Sequence, residues 1–173
     1  ALAGRLHRTK NDVYGDLVEQ GAIGLRDGVR ELMEECRRSA VPMAIATTTS
    51  RGNVEALLRS QIGRSWREWF GAVVCGEDVI RKKPDPEVYL QALQALEVGP
   101  GDSVAIEDSP PGVAAARAAG IPVVVTRSTY FNDVQFRGAI ATGPGLHQTG
   151  GWQPELPLEL RASSPVGLAH LAT

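Results

Sequence analysis

Apolar positions along the chain alternate between helical and strand periods. Leu2, Leu6, Val13 and Leu17 keep rough helical spacing and predict a first helix over residues 2–20, weakened by Gly15 and broken by residues 21–24. Val29, Leu32, Met33 and Cys36 fall at i, i+3, i+4 and i+7, which predicts a one-sided helix over 28–39 with Asp27 as its cap. Residues 42–47 then read as a short apolar strand, and Ser50 opens a helix that buries Val54, Leu57, Leu58 and Ile62 and stops at Gly63. Ser65 and Glu68 have capping-box spacing ahead of Trp69 and Phe70. A second strand is expected at 72–75. Asp85-Pro86-Glu87 is a strong helix start, with Asp85 as cap; its buried face is Tyr89, Ala92, Leu93 and Leu96, and Gly99-Pro100 ends it. A third strand at 103–106, a helix from Ser109-Pro110 to Gly120, a fourth strand at 122–126 and a fifth at 138–142 complete the series.

Strands that are almost wholly apolar, each followed by a helix, predict a Rossmann-like α/β fold: a parallel sheet with helices on both faces. From residue 143 onward the texture changes. Residues 143–173 hold 4 Pro and 5 Gly, and read as a tail on the surface or partly disordered, anchored by Trp152. No internal repeat is present.

Composition narrows the function. A net charge of −2 leaves no basic stripe for a nucleic-acid backbone. The apolar runs are far too short to span a membrane, and no secretory leader pattern opens the chain. The two cysteines, Cys36 and Cys75, fall in an apolar helix stripe and an apolar strand. They read as buried thiols of a protein in a reducing, cytoplasmic setting rather than a disulfide or a zinc site.

In an open parallel sheet, ligands bind beyond the carboxyl ends of the strands. Thr47-Thr48-Thr49-Ser50 follows the first strand, Lys82-Lys83-Pro84-Asp85-Pro86 the second, and Glu107-Asp108-Ser109-Pro110-Pro111-Gly112 the third. Thr47 and Lys83 are 36 positions apart, and Lys83 and Asp108 are 25 apart, each room for a helical crossover. Hydroxyls and free N–H groups at a helix start suit phosphoryl oxygens, a lysine suits a developing anion, and paired carboxylates suit Mg²⁺. Singly, each group has a plainer reading as a helix cap or a solvated loop. Their order and common placement at strand ends point to phosphate chemistry.

These three segments, with Ala44-Ile45-Ala46 before the first and Ile106 before the third, resemble the second, third and fourth motifs of the haloacid dehalogenase superfamily. The similarity is closest to its beta-phosphoglucomutase-like phosphatases, and within them to the xylulose-1,5-bisphosphate phosphatase group. Leu25-Arg26-Asp27-Gly28-Val29 resembles that group's passage from cap to core. The resemblance implies a Mg²⁺-dependent phosphatase acting on a sugar phosphate or bisphosphate through an aspartyl-phosphate intermediate. It implies that Thr47 and the N–H of Thr48 bind the phosphoryl group and that Lys83 is catalytic. Asp108 then binds Mg²⁺, with Glu107 as a direct or indirect partner, and Lys10 on the last cap helix is a substrate contact. The expected organisation is a cap remnant at 1–21, a core at 22–142 and the tail at 143–173.

One departure matters. The family opens with an apolar strand ending in Asp-x-Asp, whose first aspartate is the nucleophile. The aspartates here stand at 12, 16, 27, 78, 85, 102, 108 and 133, and no two are spaced that way. The expectation is therefore a C-terminal part of a longer enzyme, missing the central strand between those ending at Thr47 and Glu107. The alternative is a non-catalytic phosphosugar-binding or interaction protein derived from such an enzyme. A phospho-receiver domain, which also places Thr and Lys at strand ends, is disfavoured because the acidic pair comes last.

Overall fold

The computed structural model describes residues 2–154 and 166–171. Helix α1 (Leu2–Glu19) leads and packs against α3 (Arg51–Ile62). The alternating part follows as α2 (Val29–Arg38), β1 (Ala44–Ala46), α3, β2 (Ala72–Val74), α4 (Glu87–Leu96), β3 (Ala105–Glu107), α5 (Pro110–Ala118), β4 (Val123–Thr126) and β5 (Ala141–Gly143). A last turn of helix, α6 (Leu168–Leu171), packs on α2. All strand pairings between these elements are parallel: β1 with β2, β3 with β4, and β4 with β5.

Side-chain alternation along the strands sorts the core into two faces. Ala44, Ala46, Val74, Val123 and Val125 point to α4 and α5, where they meet Val88, Val113 and Ala116. The intervening Ile45, Val73 and Cys75 point the other way, to Val54, Leu58 and Trp66, while Val124 meets Leu32, Cys36, Leu146 and Trp152. Strands covered on both faces are the expected α/β layering.

The sheet is in two parts. Among the described residues β1 and β3 are not paired with each other, in keeping with the expected break between them. Ile106, in the middle of β3, is 39% exposed, whereas its neighbour across β4, Val124, is 3% exposed.

Three local expectations are corrected. Asp27 does not cap α2: the N-cap is Gly28, at φ 83°, and no side chain caps that end. Gly28 is required twice, because a Cβ there would also run into the backbone of Leu146 and His147. Ser65 makes no capping bond to the short 3₁₀ turn Trp66–Trp69, since its backbone (φ −86°, ψ 12°) is already turned rather than extended. The tail is more than a surface strap. Leu146, Trp152 and Val166 are buried against α2 and β4, and Gln153 pairs with Thr142. Trp152 is indeed an anchor, 3% exposed, with its indole N–H donated to the Gln148 carbonyl. The part of the expected tail at 155–165 lies outside the described residues.

Candidate active site

The loop after β1 is shaped by short-range bonds. The Thr47 N–H is donated to the Val74 carbonyl, and the Thr47 hydroxyl oxygen accepts from the Thr49 N–H at 3.2 Å. Ser50 caps α3 by accepting from the Asn53 N–H. Gly76 packs so closely that a Cβ there would meet the Thr48 and Thr49 carbonyls. The Thr48 N–H makes no hydrogen bond among the described residues, and the Thr47 hydroxyl proton is still free to donate. Both are suited to an anion.

Lys83 reaches from the loop before α4 to the break in the sheet. Its Nζ donates to the carbonyl of Ala46, the last residue of β1, at 2.9 Å, and to Oε1 of Glu107, the last residue of β3. It also donates to the Tyr89 hydroxyl at 3.3 Å and lies 4.6 Å from the centre of that ring. The Lys83 side chain is 13% exposed and that of Glu107 8%. Its neighbour Lys82 is exposed and bonds to none of these groups.

Glu107 is held on every side. Oε1 accepts from Lys83 and from the Tyr89 hydroxyl, while Oε2 accepts from the Asp108 N–H at 3.3 Å and the Ser109 hydroxyl at 3.4 Å. Ser109 in turn accepts from the Gly112 N–H, which starts α5. A carboxylate engaged in this way has little left for direct metal ligation. Asp108 is half-buried, and its carboxylate has no hydrogen-bond or ion-pair partner among the described residues.

The structure thus brings Lys83 and Glu107 together between the ends of β1 and β3, with Thr47 and Asp108 each one residue beyond those contacts. Lys10 is exposed on α1 and makes no hydrogen bond or ion pair with these residues. Among the described residues no three His, Cys, Asp or Glu side chains gather as a metal site. Mg²⁺ wants about six oxygen ligands, and the unengaged carboxylate on this edge is that of Asp108 alone among the described residues, so the donor set here does not fit a complete magnesium site.

The member of the cluster that sequence reasoning missed is Tyr89, read only as part of the buried face of α4. Burial, then the neighbouring Glu107 charge, raise its pKa well above the ordinary phenol range, so it is a permanent hydrogen-bond donor. The available signal was its spacing: six positions after Lys83, on the first turn of a helix whose start the lysine loop forms.

The sequence profile of the haloacid dehalogenase-like hydrolases matches residues 2–120. Protein CbbY of Cupriavidus necator is 43% identical over 141 residues, covering 82% of this chain and 56% of that protein. Protein CbbY of Rhodobacter capsulatus is 40% identical over 153 residues, covering 88% of this chain and 67% of that protein. A crystal structure of mutant CbbY from Rhodobacter sphaeroides in complex with xylulose-(1,5)bisphosphate superimposes with a TM-score of 0.83 at 36% identity, over 97% of this chain and 68% of the other. This chain therefore spans between 56% and 67% of the length of the two curated relatives.

Proposed function

This chain belongs to the haloacid dehalogenase-like hydrolases, and on that premise we propose that it forms part of a Mg²⁺-dependent phosphatase acting on a small phosphorylated sugar. The observation that carries the reading is the Lys83 ammonium. It sits between the carboxyl ends of β1 and β3, with the open Thr48 N–H and the unpartnered Asp108 carboxylate on the same edge. A fixed cation beside free donors suits the charge that builds on a transferring phosphoryl group.

Within this reading Thr47 and Thr48 orient the phosphoryl oxygens, Lys83 balances their charge, and Asp108 is one magnesium ligand. The aspartyl-phosphate route requires a nucleophilic carboxylate, and none of the eight aspartates here stands in an Asp-x-Asp pair. In the proposed organisation, α1 is the last helix of a cap, residues 22–142 are the core, and the tail closes one face of it. Lys10, exposed on α1, is available to touch substrate. Relatives of CbbY type support a sugar bisphosphate as the substrate class. A reducing, cytoplasmic setting accords with two free buried thiols, Cys36 and Cys75. Among the described residues no helix is long and apolar enough to cross a membrane.

The test is phosphate release from a panel of sugar monophosphates and bisphosphates, with and without Mg²⁺, by the protein made from its whole reading frame. Turnover that needs Mg²⁺ and prefers a sugar bisphosphate is expected. Lys83→Ala should lose about 10²–10³-fold in kcat, and Lys82→Ala should stay near the unaltered protein. Absence of turnover on the whole panel would favour the non-catalytic binding protein instead.

A further inference from the structure

An ammonium group has three protons to donate, and in this structure all three of Lys83 are taken: by the Ala46 carbonyl at 2.9 Å, by Glu107 Oε1, and by the Tyr89 hydroxyl at 3.3 Å. A phosphoryl oxygen that binds Lys83 must replace one of these acceptors. Glu107 is a poor one to give up, because a carboxylate that is 8% exposed would lose its counter-charge. The Ala46 carbonyl lies at the end of β1, and losing Lys83 would leave it without its hydrogen bond. The Tyr89 hydroxyl can release Lys83 at little cost, because its own proton is still donated to Glu107 Oε1. The Tyr89 contact is also the longer of the two whose lengths decide the comparison, 3.3 against 2.9 Å.

We propose that Tyr89 is a positioning residue that keeps Lys83 available to an anionic ligand. Its hydroxyl shares Glu107 Oε1, so that the carboxylate does not hold the ammonium alone, and it occupies the third lysine proton through a bond that an incoming phosphoryl oxygen displaces. The ring beneath Nζ limits where the ammonium can go. The inference rests on the reading of Lys83 as the phosphoryl-binding cation, and it adds the mechanism by which that cation is kept poised.

Removing the hydroxyl frees the third lysine proton but also leaves the buried Glu107 carboxylate with one donor fewer on Oε1; the charge–charge pull on Lys83 outweighs the loss of a neutral 3.3 Å contact, and the ammonium is held harder. Tyr89→Phe, which keeps the ring and its packing, should weaken binding of inorganic phosphate to the protein made from its whole reading frame about five- to tenfold. Replacing Tyr89 by 3-fluorotyrosine, a stronger donor and weaker acceptor of nearly the same shape, should instead tighten it. Both are read by titrating phosphate while following the Lys83 Nζ resonance by NMR, with circular dichroism as the check on folding. Opposite shifts from the two replacements support the proposal, since a merely structural tyrosine would not respond to fluorination. If fluorination leaves the affinity unchanged, or Tyr89→Phe binds as tightly as the unaltered chain, the role of Tyr89 is overturned while that of Lys83 stands. If phosphate does not bind, or Lys83→Ala binds it equally well, the reading of Lys83 fails and takes the inference with it.

Discussion

Glu107 is buried, charged and fixed, and the space for it is made by an absence. A Cβ on Gly112 would fall on the Glu107 carboxylate, which Lys83, Tyr89 and Ser109 hold in place and which cannot swing away freely. Gly112→Ala should therefore cost about 1–3 kcal/mol, the usual range for forcing an extra methyl into a packed site. It should also weaken phosphate binding, because the displaced carboxylate carries Lys83 with it. Gly101 is the matched control: it is exposed, and a Cβ there would meet nothing within 4 Å. Gly101→Ala should change stability by no more than about 0.5 kcal/mol. Urea denaturation of the two variants measures the difference, and equal stabilities would mean that the Glu107 cradle is not rigid.

Loops between elements are held by carboxylates acting on backbone N–H groups, and this makes the site's frame sensitive to acid. Asp78 accepts from the Cys75 N–H at 2.7 Å and pairs with Arg51, and these bonds hold its carboxyl below the usual range. Glu87 accepts from the Ile80 and Arg81 N–H groups at 2.8 and 2.9 Å, with the same consequence. A folded pKa below the unfolded value gives stability that is complete above the unfolded value, about 4 for these groups, and is lost as pH falls through the lowered one. The loop that carries Lys83 should thus loosen below about pH 4 and be indifferent to pH between about 5 and 7. Amide proton shifts of Cys75, Ile80 and Arg81 followed by NMR across that range check this, and shifts that move only near neutrality would contradict it. The carboxylate-to-backbone bonds join residues three to seven apart, yet no hydrophobic period signals them. What periodicity did reveal was the order of the elements, the strand ends after which Thr47 and Asp108 stand, and the loop before α4 that carries Lys83. It was weaker at boundaries. Asp85 does bond the Glu87 N–H, but Pro86 is the N-cap residue of α4. That helix also ends earlier than Gly99-Pro100 suggested, at Glu97 in a left-handed conformation with φ 57°. Tyr89 escaped notice because an aromatic on an apolar stripe looks the same whether or not its hydroxyl has work to do.

Across the whole molecule, the helices on the two faces of a split sheet do not complete the core, and the C-terminal segment supplies what is missing. Local breakers made residues 143–173 look like a strap, since Gly and Pro forbid long regular elements but say nothing about burial. Trp152 shows the difference. Its indole lies over Gly143, where a Cβ would collide with the ring, and it packs with Leu32, Val124 and Leu146 beneath α2. Trp152→Ala would remove the largest side chain of that cluster and leave a void that its rigid neighbours cannot fill. The expected loss is about 3–5 kcal/mol, in the range for deleting a buried tryptophan. Because β5 and the 142–153 bridge sit directly on this cluster, the loss should also loosen the edge of the sheet. Hydrogen exchange should then rise at Thr142 and Gln153, which exchange N–H bonds with each other, before it rises at Val125 in the middle of the β3–β4–β5 sheet. Tyr130, although aromatic, is 90% exposed, so Tyr130→Ala should alter stability by no more than about 0.5 kcal/mol. Denaturation midpoints and amide exchange of both variants decide the matter. A Trp152→Ala protein as stable as Tyr130→Ala would show that the segment lies on the fold without holding it.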